Sequence, residues 1–165
     1  MLKNVDPVLN ADILHALYSM GHGDEVAIVD AHYPAQNAAQ SSTIGKLLTM
    51  DGADTARAMR AILSVFELDS FVPQPAERMM VDNEPETLPH VQREAQMEIN
   101  LAVGRCLPMA SVVRQEYYQR AKNSYAVIMT GETRGWGCFI LRKGLVVTED
   151  VPSLENQSNT TRYGS

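Results

Sequence analysis

Residues Met20 to Ala35 read MGHGDEVAIVDAHYPA, which sets His22, Asp24, Glu25, Asp30 and His32 around a short apolar run from Val26 to Val29. An apolar run with ionisable residues at both ends is what an α/β enzyme shows where its sheet meets a pocket. His22 stands between Gly21 and Gly23, so little side-chain bulk surrounds its imidazole. A group that titrates near neutral pH suits proton transfer on a small polar molecule. Plainer roles stay open for the same residues. A histidine at a helix end can bond the last carbonyls, Asp30 can cap the loop after its strand, and Arg114 can pair with Glu116 or Glu132. Asp24 and Glu25 can orient the histidine loop or face solvent. His22, Asp24, Asp30 and His32 also allow a reading as metal ligands, but their spacing matches no standard zinc pattern.

The elements that must hold these residues follow from periodicity and punctuation. Asn10 caps a helix running to about Met20, with Ile13, Leu17 and Met20 at helical spacing and Gly21 as the stop. Glu25 to Asp30 is the first strand, and its four consecutive apolar residues predict burial on both faces, as in a parallel sheet. Gln36 to Ser41 is polar and reads as a loop. Thr43 to Met50 is a second strand, followed by a turn at Asp51-Gly52. Asp54 caps a helix over Thr55 to Phe66. Short strands are expected at Asp69 to Val72 and at Arg78 to Val81, then a loop framed by Pro85 and Pro89. A helix over His90 to Val103 closes at Gly104. Val112 to Asn123 reads as a short helix carrying Arg114, Tyr117, Tyr118 and Arg120. Tyr125 to Thr130 is the second strongly apolar strand, GETRGWG a loop, Cys138 to Arg142 a strand, and Leu145 to Thr148 a last extended piece. Helices alternating with apolar strands predict a three-layer α/β domain with a mostly parallel central sheet.

The 165 residues make one domain, read as residues 1–148, followed by a flexible polar tail at 149–165. Hydrophobic residues are 45%, enough for a core, and the net charge is -6. Lys and Arg are scattered, which argues against a nucleic-acid partner. No run approaches the ~18 apolar residues of a membrane span. Cys106 and Cys138 lie far apart and form no CxxC, so a structural zinc site is not supported. The opening MLKNVDP carries no apolar signal core, which points to a reducing cytoplasmic setting with free thiols. Met79-Met80, Met97 and Met109 read as core filler. Trp136, between two glycines, reads as a pocket wall or subunit contact.

Three segments, GHGDE with VDAHYPA, Arg114 to Arg120, and GETRGWGCFILRKG, stand in order behind the opening MLKNVDPVLNADILHAL and before and after FELDS. Together they resemble the ribose pyranase and L-fucose mutarotase family over about residues 1 to 147. GHGDE rather than GHTD, and an arginine ahead of Tyr117-Tyr118-Gln119-Arg120-Ala121, resemble the fucose branch. The resemblance implies exchange between sugar anomers, no metal and no organic cofactor. It also implies a ring-shaped homo-oligomer, commonly a decamer, with the sugar pocket near subunit contacts. It carries His22 over as the proton donor, and Asp30, Arg114 and Trp136-Gly137-Cys138 as sugar contacts. Tyr118 is a further candidate, for a relay or a hydroxyl contact. The family typically has Tyr-Gly-Asn where this chain has Trp136-Gly137-Cys138. That change loses a phenol hydroxyl and an amide, which bears on the choice of sugar rather than on the reaction class. Two rivals follow: a ribose pyranase-type or other aldose anomerase, and a non-catalytic sugar-binding accessory linked to sugar uptake.

Overall fold

A computed structural model describes residues 1–146. Its elements are α1 (Ala11–Ser19), β1 (Glu25–Val29), α2 (Ala35–Ser41), β2 (Leu47–Met50), α3 (Thr55–Leu63), β3 (Ala76–Met79), α4 (His90–Val103), β4 (Ala110–Val112), α5 (Arg114–Asn123), β5 (Ala126–Thr130) and β6 (Phe139–Arg142). The strands form one sheet in the order β2-β5-β1-β6-β3-β4. The pairs β1–β5, β2–β5 and β3–β4 are parallel, whereas β6 runs antiparallel between β1 and β3. The sheet is therefore mostly parallel, as the alternation of helices and strands predicts, with one reversed strand near its middle.

Side-chain alternation along the strands builds two cores. Val26 and Ile28 of β1, with Ile128, Phe139 and Leu141, meet Ile13 and Leu17 of α1, Met59 and Ile62 of α3, and Ile99 of α4. Ala27 and Val29, with Val127 and Ile140, meet Ala35, Ala38 and Ala39 of α2 and Tyr117 and Ala121 of α5 on the other face. This arrangement is a three-layer sandwich, and it explains why β1 is buried on both faces from Val26 onward. Local chemistry fixes the ends of the helices. The Asn10 side chain accepts from the Ile13 amide at 3.0 Å, and that of Asp54 from the Arg57 amide at 2.9 Å. Gly104 ends α4 in the left-handed conformation at φ 72°.

The differences from the sequence reading have physical reasons. Residues 36–41, expected as a loop, belong to α2. The segment has no large apolar residue to signal a face, yet Ala35, Ala38 and Ala39 recur at helical spacing and bury against the sheet. Asp69 to Val72 is not a strand: the Asp69 carboxylate accepts the Phe71 amide at 3.0 Å, a local turn that competes with pairing. β3 starts earlier than expected, at Ala76, and Val81 makes only an isolated bridge to Glu84. Ala110–Val112 is a strand ahead of α5 rather than its first turn, in keeping with the paired β-branched Val112 and Val113. Leu145 and Val146 are in no strand. The tail read at 149–165 and the end of the last extended piece lie outside the described residues.

Candidate functional site

β1 ends at Val29 and delivers Asp30, buried, to the edge of the sheet formed by the C-terminal ends of β1, β3, β4 and β5. That edge is where open α/β sheets place their ligands. Asp30 is held from three sides. Its Oδ1 accepts the His32 amide at 3.0 Å, and its Oδ2 accepts the Gly137 amide at 3.1 Å and the Cys138 thiol at 3.6 Å. Burial, together with the Asp30 charge, pushes the Cys138 thiol well above its ordinary value, so it stays a neutral donor. Space at Gly137 is tight: a Cβ there would lie 3.1–3.2 Å from the Glu132 and Asp30 side chains and the Thr55 hydroxyl.

A cavity of about 180 Å³ opens beside Asp30, lined by His32, Tyr33, Met79, Arg114, Tyr118, Gly135, Trp136 and Cys138. It is smaller than the ~300–1,000 Å³ of drug-sized pockets, so it suits a small molecule. Larger grooves along α1 are walled chiefly by apolar side chains such as Leu2, Leu14 and Leu17. Arg114, the first residue of α5, lines the cavity, pairs with Asp82 at 3.0 Å and remains half exposed. Tyr118, one turn further along α5, packs edge-on against Tyr33 with ring centroids 4.9 Å apart.

The loop that carries Trp136 is built by Gln92, which sequence reasoning did not single out, and by Glu132, which it offered only as a partner for Arg114. Trp136 adopts φ 70°, a conformation that costs a non-glycine residue ~1–3 kcal/mol. Its carbonyl is held at 2.9 Å by the fully buried Gln92, which also donates to the Met79 carbonyl at 2.7 Å and accepts from Arg78 at 3.1 Å. Gln92 announced itself only as a polar residue on the face of α4 that buries Val91, Ala95 and Ile99. At the other end of the loop, buried Glu132 accepts the Thr55 amide at 3.1 Å and the Arg134 amide and guanidinium at 2.7–2.9 Å. The Arg134 hydrogen bond outweighs burial and takes the Glu132 carboxyl down to about 2.

His22 is elsewhere. It precedes β1, whereas Asp30 follows it, and five strand residues span ~16 Å. Its Nε2 meets the buried Asp69 carboxylate at 2.9 Å, its ring tilts against Phe71, and Asp69 also accepts Arg142 Nε at 3.0 Å. Burial works against the Asp69 charge, but the hydrogen bonds from His22, the Phe71 amide and Arg142 hold its carboxyl below the ordinary value. Gly23, at φ 87°, makes the turn between His22 and Asp24. The last carbonyls of α1 go to Lys143 rather than to His22. Asp30, Arg114, Tyr118, Trp136, Gly137 and Cys138 thus converge on one pocket edge, and His22 of the same chain does not join them. Among the described residues no group of three His, Cys, Asp or Glu side chains is placed to hold a metal ion. Cys106 is exposed, Cys138 is buried, and both are free.

A mostly parallel α/β sheet with a small polar pocket at its carboxyl edge defines an α/β protein fit for a small polar ligand. Residues 3–146 match the model of the RbsD / FucU transport protein family, and the chain belongs to that family. It is 34% identical over 145 residues to the L-fucose mutarotase of Histophilus somni (strain 2336), covering 88% of this chain and 97% of that protein. The crystal structure of protein Atu2016 is 49% identical, with a TM-score of 0.87 over 89% of this chain and 97% of that one. The fucose mutarotase from Streptococcus pneumoniae in complex with L-fucose is 32% identical, with a TM-score of 0.78 over 88% of this chain and all of that one (100%).

Proposed function

We propose that this protein is an aldose mutarotase that interconverts the α and β anomers of a monosaccharide, with L-fucose as its first candidate substrate. The observation that carries the reading is the convergence of Asp30, Arg114, Tyr118 and Trp136 on one small pocket, in a chain similar to L-fucose mutarotases. Asp30 accepts sugar hydroxyls, Arg114 donates to hydroxyl or ring oxygens, and the indole of Trp136 takes the apolar face of the ring. Tyr118 is a further hydroxyl contact, and Gly137 and Cys138 hold the Asp30 carboxylate in place.

Anomer exchange needs an acid at the ring oxygen and a base at the anomeric hydroxyl. The acid in this proposal is His22. Its place at the far end of β1 supports a pocket completed by a second copy of the chain, which offers His22 to the Asp30 edge of its neighbour. The working form is then a ring-shaped homo-oligomer, a decamer in the family it resembles, acting in the cytoplasm without metal or organic cofactor. Cys138 in place of an amide favours a second reading within the same class, an anomerase for ribose or another aldose, because a thiol is a weak donor.

Saturation-transfer NMR between anomers of fucose, ribose, galactose and glucose, at catalytic protein concentration, tests the proposal. Faster exchange for one sugar names the substrate, and His22→Ala should abolish it while the chain stays folded. No enhancement for any sugar by folded oligomer rejects the mutarotase reading in favour of a binding-only accessory. Full exchange in folded His22→Ala removes His22 from its role.

A further inference from the structure

The mutarotase reading leaves the base unassigned, and the pocket walls narrow the choice. Asp30 already accepts three hydrogen bonds from the protein, which suits it to hold hydroxyls rather than remove a proton. Cys138 and Tyr33 are buried and pushed up, so neither is a base at neutral pH. Arg114 is a permanent cation. His32 remains. It lies two residues beyond Asp30, lines the same cavity and is exposed. Its Nε2 sits 2.8 Å from the Thr133 carbonyl oxygen. A carbonyl only accepts, so Nε2 carries the hydrogen and the lone pair of the neutral ring resides on Nδ1. The Thr133 contact therefore fixes both the tautomer and the ring plane.

We propose that His32 is the general base of anomer exchange, a catalytic residue beyond those the family resemblance supplies; the proposal rests on the mutarotase reading. His32 Nδ1 takes the proton of the anomeric hydroxyl. The C1–O1 bond becomes the aldehyde carbonyl as the bond from C1 to the ring oxygen breaks, and that oxygen takes a proton from His22 of a second copy. After rotation about C1–C2 the released hydroxyl attacks the opposite face of C1 and returns its proton to His22. The carbonyl oxygen recovers its proton from His32. No proton is gained or lost over the cycle.

His32→Gln tests the assignment, because its amide keeps a donor for the Thr133 carbonyl and lacks a basic nitrogen. For L-fucose, kcat should fall about 100-fold with KM nearly unchanged. Sugar titration followed by the emission of Trp136, the single tryptophan of the chain, should give the same affinity as wild type. Exchange within threefold of wild type overturns the role of His32 and leaves the mutarotase reading standing. A loss confined to KM and binding also overturns it, because that describes a positioning residue. Absence of exchange in the wild type overturns both. Long-range ¹H–¹⁵N spectra of wild-type protein give a readout that does not depend on the variant folding: L-fucose should perturb His32 Nδ1 while Nε2 stays protonated. An unperturbed Nδ1 at saturating sugar, or a proton resident on Nδ1, also rejects the proposal.

Discussion

At the scale of single residues, the pocket depends on buried charges that do no chemistry. Glu132 is one of them. Its carboxyl lies at about 2 rather than its ordinary 4.5, so the folded state binds the proton more weakly than the unfolded chain. Its stabilising contribution is complete above about 4.5 and is lost as pH falls from there toward 2. Glu132→Gln should therefore cost ~1–3 kcal/mol at pH 7, the range for hydrogen bonds to charged groups, and distinctly less at pH 3. Urea unfolding of both proteins at the two pH values checks this, and an equal gap at each would contradict it. The sequence displayed Glu132 and Arg134 two positions apart in GETRG but not their partners: Thr55 and Glu94 come from α3 and α4, far away in the chain. Asp69 was visible only as part of FELDS and as the start of an expected strand. Its contact with His22 spans 47 residues of sequence.

At the scale of elements, periodicity was a good guide where large apolar residues carried it and a poor one where alanine did. The expected span of α4, His90 to Val103, is the one observed, because Val91, Ala95 and Ile99 mark its face and Gly104 its end. α2 was invisible because alanines bury a face without advertising one. The junction between α4 and the pocket loop rests on Gln92. Gln92→Leu fits the space but leaves the Met79 and Trp136 carbonyls and one Arg78 donor without their partner. A destabilisation of ~3 kcal/mol follows from the ~1–3 kcal/mol cost of each orphaned buried group. Relaxation of the strained Trp136 backbone should also shift its emission to the red. A variant with unchanged unfolding midpoint and unchanged emission would show that Gln92 does not hold the loop.

At the scale of the whole molecule, the decisive fact is that His22 and Asp30 flank one strand and so face opposite ends of the sheet. If a neighbour supplies His22, two defective chains can repair one another. His22→Ala and Asp30→Asn should each be inactive alone. Refolded together, they should regain activity, because some interfaces then pair an intact His22 with an intact Asp30. The recovered fraction in a one-to-one mixture should approach a quarter of the wild-type rate, the statistical share of such interfaces under random assembly. Exchange measured on the mixture against each parent checks this. No recovery in a confirmed mixed oligomer would return both groups to a single chain.

The sequence by itself determined the fold class, the two apolar central strands, the caps of α1 and α3, and the group of residues that resembles a sugar isomerase. These are local matters, or matters of pattern, and hydrophobic alternation, capping side chains and motif order are written along the chain. Only the tertiary structure decided which of those residues meet. It brought Trp136 and Cys138 to Asp30 across more than a hundred positions, reversed β6 between β1 and β3, and exposed His32 beside the carboxylate. It also separated His22 from Asp30, which stand only eight positions apart. A strand extends ~3.3 Å per residue, so residues that flank it are close neighbours in sequence and lie at opposite edges of the sheet in space.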